Sequence, residues 1–117
     1  MELKYEIEKD ALIVPMPREV DHHVAQNLSR EIDFLVDSWH VKTLIFDFSG
    51  TDFMDSSGIG VLLGRRKTME LYSGEMRAVN LGERVRKIFE KSGLFRVISV
   101  EGTEDKNWKG GQNDGTN

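Results

Sequence analysis

A β-branched and aromatic run, Thr43-Leu44-Ile45-Phe46-Asp47-Phe48, leads through the turn chemistry of Ser49-Gly50-Thr51-Asp52 into a segment whose apolar residues Ile59, Leu62, Leu63 and Leu71 recur at helical spacing. A strand that hands over to a helix and then to another strand crosses back over its own sheet, which makes the two strands parallel. The same handover occurs on either side. Upstream, Asp21 is a candidate N-cap for one stripe formed by Val24, Leu28, Ile32, Leu35 and Val36, through about residue 37. Downstream, residues 75–80 read as a short strand and residues 83–92 as a helix with Val85, Ile88 and Phe89 inward. Gly93 is its stop, and residues 94–100 read as a last strand. Ser73-Gly74 closes the central helix, with Gly74 placed to take the left-handed conformation.

The N-terminus adds an antiparallel element. Residues 3–8 alternate with Leu3, Tyr5 and Ile7 on one face, Lys9-Asp10 turns, and residues 11–14 form a compact apolar run. Pro15 and Pro17 each lack a ladder donor, so pairing weakens beyond them. The order ββαβαβαβ therefore predicts one α/β domain over residues 1–100, with a mixed, mostly parallel sheet, an N-terminal hairpin and packed helices. Residues 101–117 hold four glycines and only Trp108 as a large apolar group, which predicts a disordered polar tail with at most a brief turn at residues 105–108.

Composition narrows the function classes. The 117-residue chain has no cysteine, which excludes a disulfide scaffold and thiolate metal sites. Its start carries neither a basic n-region nor an apolar stretch of signal-peptide length, and no run approaches the roughly 20 apolar residues of a membrane span. A cytoplasmic protein is expected. The formal net charge of −4 provides no positive field for a phosphate backbone, so direct nucleic-acid binding is not expected. The basic residues Arg65-Arg66-Lys67 and Arg84, Arg86, Lys87 and Lys91 read as solvated faces and helix ends, with a docking surface as the alternative.

The segment Phe53-Met54-Asp55-Ser56-Ser57-Gly58-Ile59-Gly60 concentrates the candidate chemistry. Asp55 or Ser56 can cap a helix that opens near Gly58, and the unpaired N–H groups and dipole of such an end also suit a phosphate. A plain cap and a modified serine are both open readings. A hydrolase using Ser56 or Ser57 with His22, His23 or His40 does not fit, because Met54 and Asp55 stand where a nucleophile elbow needs glycine. Gly58, Gly60 and Gly64 are spaced one residue too long for a dinucleotide fingerprint, and no Gly-Lys-Ser/Thr of a Walker loop is present. Gly60 and Gly64 instead suggest a small face for close approach to the sheet or a partner. His22 and His23 are adjacent, point in different directions on a helix and do not make a metal site. Asp47 at a strand end invites comparison with a receiver domain, but the acidic pair after the first strand and a lysine at the end of the last are missing.

Three blocks taken together resemble the STAS domain, and within it the bacterial anti-sigma factor antagonists of the sporulation stage II type: Glu19-Val20-Asp21-His22-His23, Phe53 through Val61, and Val85-Arg86-Lys87-Ile88-Phe89 with Ser92-Gly93-Leu94-Phe95. The resemblance covers about residues 3–100. It implies a non-enzymatic phosphorylation switch without a cofactor of its own. Ser56 matches the serine that an ATP-using kinase modifies; that kinase is also the anti-sigma factor, and a serine phosphatase reverses the step. The unmodified form would bind the anti-sigma factor and free a sigma factor, through a surface that includes Asp21, Asp55, Ser57, Gly58, Ile59 and Gly60. A stress-response antagonist or a scaffold subunit with another partner is the alternative. Arg18 departs from the family's glycine before Glu19, and Pro15 and Pro17 precede it, which leaves the shape of that loop open. The tail also lacks the apolar residues of a terminal helix.

Overall fold

The computed structural model describes residues 3–101. The strands are β1 (Glu6–Glu8), β2 (Ala11–Pro15), β3 (Glu19–Val20), β4 (Thr43–Asp47), β5 (Phe53–Met54), β6 (Glu75–Val79) and β7 (Ser99–Glu101). The helices are α1 (His22–Trp39), α2 (Ser56–Leu71) and α3 (Glu83–Ser92), and a 3-10 turn covers Leu94–Arg96. The main sheet runs β1-β2-β4-β6-β7, with β1 antiparallel to β2 and every other pair parallel. The hairpin and the mixed sheet are as expected from the sequence.

Side chains alternate across a strand, so register decides which residues share a face. Leu12, Leu44 and Met76 stand in one row across the sheet, and Val14, Phe46 and Ala78 in the next. All six are buried in one core with Ala25, Leu28, Ile32 and Val36 of α1 and Val61, Leu62 and Met69 of α2. Phe89 of α3 closes the core near the third block, with its ring edge-on to Phe48 at 5.7 Å and to Phe95 at 5.5 Å.

Four local expectations are corrected. Ile7 is exposed, although Leu3 and Tyr5 do pack against the core. Helix α2 starts at Ser56, and Leu63 and Leu71 face outward, Leu71 at 78% exposure. The inward face is Gly58, Val61, Leu62, Arg65 and Met69, a helical stripe hidden by a glycine and an arginine. Gly74 does not adopt a positive φ; Ser73 does, at 59°. The glycine is needed because a Cβ there would lie 2.6 Å from the Lys42 carbonyl oxygen. Residues 94–100 are not one strand: Leu94 and Ile98 are both buried, and Ile98 N–H donates to the Leu94 carbonyl at 3.0 Å, so the chain turns before β7 begins. Gly93 ends α3 with φ 79°, as expected. The tail reading for residues 101–117 lies outside the described residues apart from Glu101, which ends β7.

Tyr5 ties the N-terminal strand region to α1 by donating its hydroxyl to Glu31 Oε1 at 2.5 Å. Burial first, and then the bond to and charge of Glu31, hold the phenol well above its ordinary range. The unfolded chain therefore releases this proton first as pH rises, so stability is full below about pH 10 and falls above it. Tyr5→Phe is expected to flatten that alkaline loss, as read from denaturant midpoints between pH 8 and 11.

Candidate functional site

The small parallel sheet of β3 and β5, too short to read from periodicity, organises the site. Val20 pairs with Met54, and Asp55 N–H donates to the Val20 carbonyl at 3.2 Å. The next residues, Asp21 and Asp55, are the N-caps of α1 and α2, so both helices start side by side. Each carboxylate bonds within its own helix start: Asp21 Oδ1 accepts from Val24 N–H at 3.0 Å and Asp55 Oδ1 from Ser57 N–H at 2.8 Å. These bonds satisfy donors that a helix start otherwise leaves unpaired. Asp55 is thus the cap, and Ser56 is the first helical residue.

The loops feeding this sheet are laced together. The Arg18 carbonyl accepts from Asp52 N–H at 2.8 Å and Phe53 N–H at 3.1 Å, and Arg18 Nε donates to Asp52 Oδ2 at 2.7 Å. Buried Thr51 donates its hydroxyl to the Pro17 carbonyl at 2.9 Å. The departure at Arg18 therefore adds a side-chain tie to a cross-loop link that its backbone carbonyl already makes. Asp47 accepts from Ser49 N–H at 3.0 Å and Asn80 Nδ2 at 3.2 Å, which makes it a turn anchor.

The two serines differ. Ser56 is exposed, whereas Ser57 is half-buried with its Oγ 3.5 Å from His22 Nδ1. Ser57 borders an open groove of about 440 Å³ between α1 and α2, lined with it by His22, Ala25, Gln26, Ser29, Arg30, Gly60 and Val61. Ser57 and His22 meet, but the adjacent Asp21 carboxylate is engaged by Val24 N–H and not by the imidazole. His23 is exposed, and among the described residues no group of three or more His, Cys, Asp or Glu is placed to hold a metal ion.

Gly58 is buried because a Cβ there would lie 2.1 Å from Met54 Cγ and 3.2 Å from Val20 Cγ1. This close approach seats α2 on the small sheet. Gly60 and Gly64 do not share that role, since a Cβ at either would meet nothing within 4 Å. Ile59 is half-buried against the core. Sequence reasoning also missed that two of the basic residues are structural. Arg65 Nε lies 2.9 Å from Asp33 Oδ1 across the α1–α2 contact, an ion pair whose geometry is not that of an aligned hydrogen bond. Arg66 Nε donates to the Val97 carbonyl at 2.9 Å. Lys67, Arg84, Lys87 and Lys91 are exposed. No helix among the described residues is long and apolar enough to cross a membrane.

The cap assignment has a measurable consequence. Asp55→Ala is expected to cost about 0.5–2 kcal/mol, whereas Ser56→Ala, which removes an exposed hydroxyl and no cap, stays within about 0.5 kcal/mol of the parent. Urea unfolding of the two variants checks this, and a larger loss for Ser56→Ala than for Asp55→Ala would move the cap to Ser56.

The family model for the STAS domain matches residues 2–107. An anti-sigma F factor antagonist from Lysinibacillus sphaericus is 32% identical over 88 residues, 75% of each chain. One from Paenibacillus polymyxa is 29% identical over 104 residues, 89% of each. Among solved structures, the anti-sigma factor antagonist SpoIIAA in its unphosphorylated form superposes with TM-score 0.76 and 30% identity, covering 85% of this chain and 87% of that one. The phosphorylated form of the Bacillus cell fate determinant SpoIIAA gives 0.69 and 29%, covering 85% and 90%.

Proposed function

This chain belongs to the STAS domain family, and from that premise we propose that it is an anti-sigma factor antagonist switched by phosphorylation of Ser56. The unmodified protein binds an anti-sigma factor of the sporulation F type in the cytoplasm and so frees a sigma factor. The anti-sigma factor is also the serine kinase and uses ATP; a serine phosphatase restores the binding form.

The observation that carries this reading is the exposure of Ser56 at the first position of α2, beside the paired caps Asp21 and Asp55. A protein kinase needs a hydroxyl it can enclose, and this one is free of the core. Phosphate there adds about −1.5 to −2 charges to an edge already carrying two carboxylates, yet the helix start tolerates an anion through its N–H groups and dipole. Ser57, Ile59 and Gly60 continue the same edge along α2 and, with the caps, make the contact surface; Gly58, expected there from the motif, is instead buried beneath it and seats the helix on Met54 and Val20. The relatives named as anti-sigma F factor antagonists and the two phosphorylation states of SpoIIAA support the same reading.

Incubation with the anti-sigma kinase and ATP, followed by mass-spectrometric mapping, tests it. The parent should carry one phosphate on Ser56 and Ser56→Ala should carry none at that stoichiometry. Full labelling of Ser56→Ala would move the acceptor to Ser57.

A further inference from the structure

We propose that His22 is a positioning residue that decides which of the two adjacent serines receives phosphate, by holding the Ser57 hydroxyl against α1. The inference rests on the switch reading above and goes beyond it by assigning the choice between Ser56 and Ser57 to a residue 35 positions away on another helix.

The two hydroxyls are chemically equal and neighbours in sequence, so neither composition nor exposure of the loop as a whole separates them. Their surroundings do. Ser56 is exposed. Ser57 is half-buried on the wall of the α1–α2 groove, its N–H is bonded to Asp55 Oδ1 at 2.8 Å, and its Oγ stands 3.5 Å from His22 Nδ1. With the imidazole proton on Nε2, Nδ1 accepts from the Ser57 hydroxyl. His22 is itself fixed as the first residue of α1, next to the cap Asp21, and the pairing of Val20 with Met54 sets the distance between the two helix starts. The fold therefore sets the backbone separation that lets the two side chains meet.

Phosphoryl transfer to a serine forms a bond from Oγ to the γ-phosphorus of ATP and breaks the bond from that phosphorus to the β–γ bridging oxygen. ADP leaves, and the hydroxyl proton passes to the kinase or to water. Ser57 can enter this step only by swinging away from Nδ1 and out of the groove, whereas Ser56 is already presented. At 3.5 Å the contact lies at the long end of hydrogen bonding, so its loss on that swing biases the outcome about two- to threefold toward Ser56.

His22 is exposed, so its replacement leaves the core untouched. The test uses the full chain, the anti-sigma kinase and ATP, with site-resolved mass spectrometry of the phosphate on each serine in the parent, His22→Ala and His22→Asn. Asparagine places its Oδ1 near the position of Nδ1 and keeps an acceptor there; alanine does not. The expected result is about a two- to threefold rise in the Ser57-to-Ser56 ratio in His22→Ala and a return toward the parent ratio in His22→Asn. An unchanged ratio in His22→Ala overturns the proposal while leaving Ser56 as acceptor. A fall in Ser57 phosphate overturns it in another way, by showing that the imidazole activates that hydroxyl. No phosphate on either serine of the parent overturns both this proposal and the switch reading on which it rests.

Discussion

Phosphorylation of Ser56 is expected to weaken binding to the anti-sigma factor by more than a hundredfold while the domain remains folded. The effect is electrostatic and local. Like charges brought together at an interface cost several kcal/mol, and each 1.4 kcal/mol is about a factor of ten in affinity. The modified serine would stand beside Asp21 and Asp55, so docking would have to enclose the phosphate's bulk and crowd its charge against these two carboxylates with water excluded. Inside the domain the same phosphate meets the start of a 16-residue helix, where N–H groups and the dipole favour an anion. Titration calorimetry of both forms measures the loss, and amide NMR measures the fold. Shifts should cluster around Asp21, Ser56 and the groove, with the strands at Leu44 and Val79 unmoved. Changes spread through those strands would mean that the switch works by refolding.

The second large effect concerns the third sequence block. Phe89→Ala is expected to destabilise the domain by about 3–5 kcal/mol, the range for truncating a buried aromatic residue. Phe89 is fully buried and sits between Phe48, which follows β4, and Phe95 in the 3-10 turn. Its loss removes two edge-to-face contacts and opens a cavity between α3 and the sheet. A domain of this size loses roughly 4–8 °C in Tm per kcal/mol, so a fall of well over 10 °C is expected by calorimetry. A fall below 4 °C would show that α3 is not held through this ring. Partner binding at temperatures where the variant is still folded should change little, because Phe89 is not among the residues forming the edge at Ser56.

The parts of this fold that could be read from the sequence are those with enough residues to display a period. Residues 43–47 announce themselves as a buried strand by β-branched and aromatic density, and α1 by a long stripe that starts just after its cap Asp21. Gly93 was legible because a glycine after an amphipathic helix commonly takes the left-handed conformation it adopts here. Two-residue strands have no period, so the β3–β5 pair that brings the caps together was invisible. The inward face of α2 was misread because one of its members is Gly58, whose contribution is the absence of a side chain against Met54. Leu63 and Leu71 were apolar without being buried. Arg65 and Arg66 looked like surface charge because their partners, Asp33 and the Val97 carbonyl, lie about thirty residues away in sequence.

The candidate site divides in the same way. Ser56, Asp21 and Asp55 could be picked out from the motif and from capping chemistry, since each bonds or presents within a turn of its own helix. The His22–Ser57 contact and the groove beside it depend on two helix starts meeting in space, which no local pattern encodes. The Arg18 ties likewise required the loops to be seen together.

The central claim is a switch between two binding states set by one phosphate, and release of sigma factor measures it most directly. A preformed complex of sigma factor and anti-sigma factor is titrated with the unmodified chain and, separately, with the chain phosphorylated on Ser56, and free sigma factor is followed by fluorescence anisotropy. The account predicts stoichiometric release by the unmodified chain and none by the phosphorylated one over the same range. Equal release by both forms, or no release by the unmodified chain, would contradict it.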